Sequence, residues 1–435
     1  MPPIISLTIC NGAAITAGDF GSTPSRSLSI IAAVGEVAVK VIVQKFGGSS
    51  VADLDRIERV AKQVVATKQK GYEVVVVVSA MGKTTDDLKQ KALEIDENPP
   101  TRELDMLLSV GERISTALMA IAIQKHGVPA ISLTGSQCGI MTSASHSHAR
   151  IIDIRPFRVL DELEKGHVVV VAGFQGTSYK REITTIGRGG SDTTAVALAA
   201  ALNAERCEIY SDIAAVHTAD PKVVLDAKRL AEVTYDEMLE LSRHGAKVLN
   251  ADAIAFAKNS KIAIYTRATF DPAAAGTVIR ANPPDPPRAI TGIASKKEVL
   301  AVTVHGDAIK QALELLASCK LLPDFVCSTF SNGVMAVFSK ASNVGLLATL
   351  KNQLAGWDAK IETDLATVTA IGDIAVHEDL RECALPVLQK ITGIKGMILT
   401  PSALTLVVPE AQVDEITRTL HKALIGPRTV DDQCQ

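Results

Sequence analysis

From Val41 onward the chain alternates between short apolar runs and longer stretches whose hydrophobic residues share one helical face. Val41-Ile42-Val43 is a short β-branched run, Gly47-Gly48-Ser49-Ser50 follows, and Leu54, Ile57, Val60, Ala61, Val64 and Val65 then recur at helical spacing. Strand, glycine turn and helix are predicted. The segment Glu73 to Ser79 holds five consecutive valines, a run expected of a parallel strand buried on both faces. Further strands are expected at Ala130 to Leu133, Val168 to Ala172 and Glu208 to Tyr210, with helices around Glu103 to Gln124 and Thr193 to Leu202. This repeated alternation predicts an α/β domain over 41–280, with a mainly parallel central sheet sandwiched between helices.

Four prolines between Ala281 and Pro287 remove backbone donors and fix φ, so 281–288 reads as a linker. Beyond it, over 289–435, the pattern runs twice on a smaller scale. Leu300 to Val304 leads to a helix through Ala308 to Leu316, strands near Asp324 to Cys327 and Gly333 to Phe338, and a helix through Val344 to Leu354. Ala366 to Ile371, a helix around Leu380 to Ile391, strands Gly396 to Leu399 and Ala403 to Val408, and a helix Val413 to Leu424 repeat the course. Two ferredoxin-like βαββα units are expected, stacked sheet to sheet. Met1 to Lys40 is rich in small residues and poor in charge, lacks the basic and apolar regions of a secretory signal, and reads equally as a poor organelle-targeting segment or a disordered extension, outside the fold.

With 435 residues, 47% of them hydrophobic and 21% charged, the chain is globular and too long for one core. Lys and Arg number 45 against 48 Asp and Glu, a net charge of -3, so no global field attracts nucleic acid and any anionic ligand needs a local site. The seven cysteines are scattered with no C-x-x-C pair, which suits buried thiols in a reducing, cytoplasmic setting. Apolar stretches such as Val74 to Val78 and Ala195 to Leu202 fall short of the roughly 20 residues that cross a bilayer, so no membrane partner is expected. His146-Ser147-His148 lacks a third ligand at metal-binding spacing and reads as a polar loop, leaving no protein metal site.

Three polar clusters stand at the ends of predicted strands. Lys45-Phe46-Gly47-Gly48-Ser49-Ser50 follows a strand and opens a helix, so backbone N–H groups can meet a phosphate while Lys45 adds charge. It is neither a Walker A loop nor a dinucleotide fingerprint, and alone it reads first as a turn. Gly187 to Thr194 leads into an alanine-rich helix, and Ser191, Asp192 or Thr193 would serve as its N-cap. Capping leaves Arg188 unexplained: a guanidinium among glycines at a helix N-terminus suits bidentate grip on a carboxylate or phosphate, with Asp192 as counter-charge for an ammonium. A substrate bearing both charges is implied. The third cluster, Ser211-Asp212 followed by His217-Thr218-Ala219-Asp220-Pro221-Lys222, suits a nucleotide-lining loop or a plain chain reversal. Ser79 to Asp86 and Gly111-Glu112-Arg113 are equally open, Glu112 reading alone as an exposed or paired helix residue.

In combination and order, these motifs resemble the aspartate kinases of the amino-acid kinase family. K-F-G-G-S-S, V-S-A-M-G-x-T-T-D, G-E-R-I-S, F-Q-G and G-R-G-G-S-D-T-T-A occur between Val41 and Val278, and the C-terminal half resembles paired ACT domains. The resemblance implies a three-layer amino-acid-kinase sandwich followed by two ACT-like units, acting on L-aspartate with ATP as co-substrate and Mg²⁺. It assigns Lys45 to the transferring phosphoryl group, with Phe46, Gly47 and Gly48 at the phosphates, and Thr85, Glu112, Arg188, Ser191 and Asp192 at aspartate. Catalysis would fall to Lys45, Arg188 and Asp192, and Ser211, Asp212, His217, Thr218, Ala219, Asp220, Pro221, Lys222 and Lys247 would line the nucleotide pocket. Lysine and/or threonine as effector, and a homodimer or larger homo-oligomer through the ACT-like units, are also implied.

Departures from the family pattern are local. Asp212-Ile213-Ala214-Ala215-Val216-His217 stands where D-V-D-G-V-Y is common, and neither Val304 to Ile309 nor Ile371 to Val376 carries the Pro-Gly turn of effector-binding units. An amino-acid sensor without catalysis and a sibling phosphotransferase are the rival readings.

Overall fold

Five consecutive valines project alternately to opposite faces of a strand, so this strand is stable only with helices on both sides. The computed structural model bears this out. It describes residues 40–425 apart from 188, 272, 283–288, 306–310, 312–313, 316–317, 319–320, 322, 330–332, 341–345, 356, 373–383 and 385. The expected extension up to residue 39, the linker core, most of the expected helix Ala308 to Leu316 and the first part of the expected helix Leu380 to Ile391 thus lie outside the described residues.

In chain order the first half contains β1 (Val41–Phe46), α1 (Leu54–Gln69), β2 (Glu73–Val78), α2 (Thr84–Ile95), α3 (Thr101–Leu108), α4 (Val110–Lys125), β3 (Ala130–Leu133), β4 (Ile140–Thr142) and β5 (Ile151–Ile154). It continues with α5 (Phe157–Glu164), β6 (Val168–Ala172), β7 (Gln175–Ser178), β8 (Ile183–Thr185), α6 (Gly190–Ala201), β9 (Arg206–Ser211), β10 (Glu232–Thr234), α7 (Tyr235–Arg243), α8 (Ala251–Ser260), β11 (Ile264–Ala268) and β12 (Val278–Arg280). Eight strands form one sheet in the order β10-β12-β11-β9-β1-β2-β6-β3, parallel except where β11 meets β12. Val74, Val76 and Val78 pack with Ile57, Val64, Met119 and Ile123 of α1 and α4. Val75 and Val77 face the other layer, with Val196 and Leu198 of α6 and Ile254 of α8. All five valines are fully buried, each contributing about 1.5–3 kcal/mol.

The expected helix around Glu103 to Gln124 is divided at Ser109, whose carbonyl accepts a buried hydrogen bond from Gln175 Nε2 at 2.8 Å. Together α3 and α4 form a 25-residue stretch apolar enough to cross a membrane by length and composition, but Met119, Ala120, Ala122 and Ile123 of α4 are buried in the core. A small sheet, β5-β4-β7-β8, hangs from the main one. Its strands are three or four residues long and partly polar, too short to show alternation in sequence. Cys138, Cys207 and Cys327 are buried and free, and the other four cysteines lie outside the described residues.

The second half builds a six-stranded antiparallel sheet from β13 (Ile290–His305), β14 (Phe325–Ser328), β15 (Gly333–Ser339), β16 (Ala359–Gly372), β17 (Gly396–Thr400) and β18 (Ala403–Pro409). The order β14-β15-β13-β16-β18-β17 places the long β13 and β16 in both βαββα units. The units therefore share one sheet rather than stacking two. Register shifts around Lys296 to Ala301, with Glu298 at φ 58, divide it. The sheet's ends fold toward each other through a Thr329–Gly396 bridge and a core of Val299, Cys327, Met335, Val337 and Val407.

Candidate active site

Period-two alternation directs Lys45 to the same side of β1 as Val43, toward α6. Lys45 is buried, and its Nζ lies 2.6 Å from Asp192 Oδ1 in the first turn of α6. Phe46 points the other way and stacks on Tyr210 with centroids 4.6 Å apart. Backbone hydrogen bonds from Ser79 N to Phe46 O (3.1 Å), Gly82 N to Gly48 O (3.1 Å) and Gly47 N to Tyr210 O (3.3 Å) tie the C-terminal ends of β1, β2 and β9 together. Glycine at 48 is required by this crossing, since a Cβ there would sit 2.9 Å from Ala80 O.

The head of α6 is built without a side-chain cap. Gly189, in the left-handed region at φ 72, takes the N-cap position, so the helix can present its N-terminal dipole to an anion. Arg188 lies outside the described residues, between Gly187 and Gly189. Ser191 is buried against Gly173, where a Cβ would come within 2.6 Å of Ser191 Oγ. Phe174 N donates to Thr194 Oγ1 at 3.2 Å, so the loop before β7 clasps the start of α6.

Glu112 lies in the first turn of α4 and is 3% exposed. Its Oε1 accepts from Ala80 N at 3.1 Å, and Oε2 makes no hydrogen bond. Burial pushes its pKa up to about 7, partly offset by backbone hydrogen bonds. The approach depends on Gly111, where a Cβ would fall 2.8 Å from Ala80 Cβ. Thus the turn at Ala80 touches both the Gly48 cradle and Glu112. Thr85, half-buried at the start of α2, follows directly.

At the end of β9, Ser211 Oγ donates to Ile213 O (2.8 Å) and accepts from Ile213 N (3.1 Å), while Asp212 is exposed. Ser50 and Thr269 hydroxyls meet at 2.6 Å, bringing the β1 and β11 ends to the same edge. His217 is half-buried, with Nδ1 3.2 Å from Ala215 O. Thr218 and Ala219 turn away: Thr218 Oγ1 lies 2.9 Å from His421 Nε2, and Ala219 joins a core with Leu404, Leu406 and Leu420. Asp220, Pro221 and Lys222 form an exposed turn in which Asp220 Oδ1 accepts from Lys222 N at 2.9 Å, and Lys247 is exposed.

Sequence reasoning overlooked two supports. Asn250 caps α8, and its side chain lies against Gly189, 2.4 Å from where a Cβ would stand. Asp105, fully buried at the end of α3, binds Ser147, Thr185 and His146. An Asn before a helix signals a cap in sequence; nothing local reveals what either residue approaches. A groove beside α1, lined by Tyr72, Arg206, Glu208, Tyr210 and Arg267 among others, does not include Lys45, Glu112 or Asp192.

A cationic strand end, an uncapped helix N-terminus and a buried carboxylate around a three-layer parallel sheet define a phosphotransferase-like class of α/β protein. Residues 40–266 match the amino acid kinase family, and the chain belongs to that family. Within it, the similarity is to aspartokinases. The aspartokinase of Mycobacterium tuberculosis strain ATCC 25618 / H37Rv is 50% identical over 270 residues, 61% of this chain and 64% of that protein, so this match spans just under two thirds of the relative. Aspartokinase 2 of Bacillus subtilis strain 168 is 39% identical over 396 residues, 88% of this chain and 97% of the relative. The crystal structure of E. coli aspartokinase III in complex with lysine and aspartate superposes with TM-score 0.72 at 25% identity, covering 88% of this chain and 99% of that one. The shared-strand sheet of the second half fits paired ACT-like units.

Proposed function

We propose that this protein is an aspartate kinase, transferring the terminal phosphoryl group of Mg-ATP to the side-chain carboxylate of L-aspartate and giving ADP and 4-phospho-L-aspartate, the first step of lysine, threonine and methionine biosynthesis. The observation that carries the reading is the buried Lys45–Asp192 pair at 2.6 Å. It joins the glycine cradle after β1 to the head of α6, on the sheet edge where Ala80 also holds Glu112.

The acceptor's carboxylate, with a reference pKa of about 3.9, is already ionised, so the reaction needs no general base. Repulsion between two anions is the obstacle. Lys45 faces the transferring phosphoryl group, and the N–H groups around Gly47 and Gly48 take its oxygens. Arg188 grips the aspartate α-carboxylate, while Glu112 and Asp192 receive its ammonium and Thr85 and Ser191 complete the site. Ser211, Asp212 and His217 border the nucleotide, with Lys222 and Lys247 on the exposed loops around it. Thr218, Ala219, Asp220 and Pro221 shape that loop from its far side.

Magnesium fits as the counter-ion of the nucleotide. Among the described residues no three metal-ligating side chains converge, and Mg²⁺ commonly binds through substrate phosphates with one or two carboxylates. When bound, it neutralises phosphate charge. The domains divide as 41–280 for catalysis and 289–435 for regulation and self-association, with lysine or threonine as effector and a homodimer or larger assembly, in the cytoplasm. The lysine bound by the E. coli relative supports the effector reading.

Purified protein given ATP, Mg²⁺, aspartate and hydroxylamine should yield aspartyl hydroxamate, and Lys45→Ala should lower kcat by about a hundredfold or more, with a smaller effect on the KM for aspartate. Absence of hydroxamate from the wild type at millimolar substrates would sink the reading.

A further inference from the structure

The helix pair α3–α4 carries two buried carboxylates with different surroundings. Glu112 has an oxygen without a hydrogen bond, whereas Asp105 is saturated. Asp105 Oδ1 accepts from Thr185 Oγ1 at 2.6 Å and Ser147 N at 3.0 Å; Oδ2 accepts from Thr185 N at 3.1 Å, Ser147 N at 3.1 Å, and lies 2.8 Å from His146 Nδ1. The other ring nitrogen of His146 is 3.2 Å from Glu182 Oε2. Every donor reaching Asp105 belongs to one of two segments, the loop before β5 or the β8 strand.

Both segments adjoin the turn that leads into α6. Ala149 N donates to Thr185 O at 2.9 Å, joining them to each other. Two residues after Thr185, Gly187 runs against the same loop, where an added Cβ would lie 3.2 Å from His148 Nδ1 and 3.4 Å from Ser147 O. Gly190 N then donates to Gly187 O at 3.0 Å, and Asp192 N to Gly189 O at 3.0 Å. On the other side, α3 breaks at Ser109, held by Gln175, and α4 carries Gly111 and Glu112 in its first turn.

We propose that Asp105 is a positioning residue for the acceptor site. Its carboxylate fixes the spacing between the helix bearing Glu112 and the turn that leads into Asp192, and so sets the distance between the two carboxylates that receive the ammonium of an amino acid. Asp105 touches neither substrate; it acts through Thr185 and Ser147. A carboxylate is needed because it offers acceptors only, and all its neighbours here are donors. An amide at this place, in either orientation, turns an NH₂ toward the Ser147 N–H, which reaches both oxygens, and pushes that loop away. The inference rests on the aspartate-binding reading of this cleft.

The test uses the full chain with Asp105→Asn and Thr185→Val, reading aspartate affinity by calorimetry, the KM for each substrate, kcat, and the thermal midpoint. Asp105→Asn is expected to weaken aspartate at least about tenfold with the KM for ATP within about twofold, and Thr185→Val, which removes only the hydroxyl bond, about threefold. Should Asp105→Asn fail to fold, Thr185→Val decides by the same selectivity. A lowered midpoint with unchanged aspartate affinity, or equal losses for both substrates, overturns the proposal. A wild-type protein that neither binds nor phosphorylates aspartate instead overturns the functional reading.

Discussion

Burial raises the free energy of Glu112 when ionised, and an ammonium beside its unpaired oxygen recovers what solvation lost. The folded-state pKa is about 7, above the ordinary value of 4.5, so the stability this group contributes is fully present below pH 4.5 and is lost as pH rises through 7. Glu112→Gln should therefore stabilise the fold at pH 8 by about 3 kcal/mol, raising the thermal midpoint there, and leave the midpoint unchanged near pH 4.5. Aspartate affinity runs oppositely: in the wild type the KM for aspartate falls as pH rises from 6 to 8, and the glutamine variant loses this dependence along with most affinity. Midpoints and initial rates across that range check both; a glutamine variant keeping the wild-type KM profile contradicts the assignment. The motifs singled out Lys45, Glu112 and Asp192 alike. The burial of Glu112 was not legible, because it comes from Gly111 approaching Ala80 across the fold.

At the scale of elements, hydrophobic periodicity located the central strands where both faces are buried. Ala130–Leu133 and Val168–Ala172 fall at the predicted bounds, and the helix Val413–Leu424 does as well. It missed β4, β5, β7 and β8, whose short strands carry the loops to α6, and it ran α3 and α4 together because Ser109 breaks the helix through a tertiary bond. The long β13 and β16 were read only in part, since Lys296-Lys297-Glu298 and Glu362-Thr363-Asp364 interrupt their apolar pattern. The head of α6 depends on one glycine in particular. Gly189→Ala would place a Cβ at φ 72 and within 2.5 Å of three Asn250 side-chain atoms. Left-handed strain of about 1 kcal/mol adds to overpacking of about 1–3 kcal/mol, so the midpoint should drop by several degrees. Because Asp192 rides on this turn, kcat/KM should fall at least about tenfold, whereas Gly71→Ala, at φ 90 with no atom within 4 Å, should cost stability alone. Equal kinetics in the two variants would remove the turn from the mechanism.

Across the whole molecule, the two halves meet through the chain that leaves the C-terminal end of β9. After β9 it enters the second half's core with Ala219 and Val224, packed with Ile293, Ala366, Val368 and Leu420, and returns to β10. No motif announced this contact, because Thr218 and Ala219 sit inside a loop whose polar residues suited a nucleotide pocket equally well. Thr218 Oγ1 accepts from Lys228 N at 2.9 Å and lies 2.9 Å from His421 Nε2, to which its hydroxyl can donate when the imidazole is neutral. Burial lowers the His421 pKa, opposed by Asp226 and assisted by Lys228, in keeping with that form. With a folded pKa below the ordinary 6.5, this histidine's contribution to stability is present above pH 6.5 and is lost as pH falls through the depressed value. Thr218→Val keeps the volume and deletes the bond. It should speed amide exchange across 216–228 by about tenfold, shift the KM for ATP more than the KM for aspartate, and flatten the wild-type acid sensitivity of that exchange. Unchanged exchange with altered kinetics would mean that the loop reports to the active site by another route, and unchanged kinetics with faster exchange would make the contact a structural staple without influence on the nucleotide.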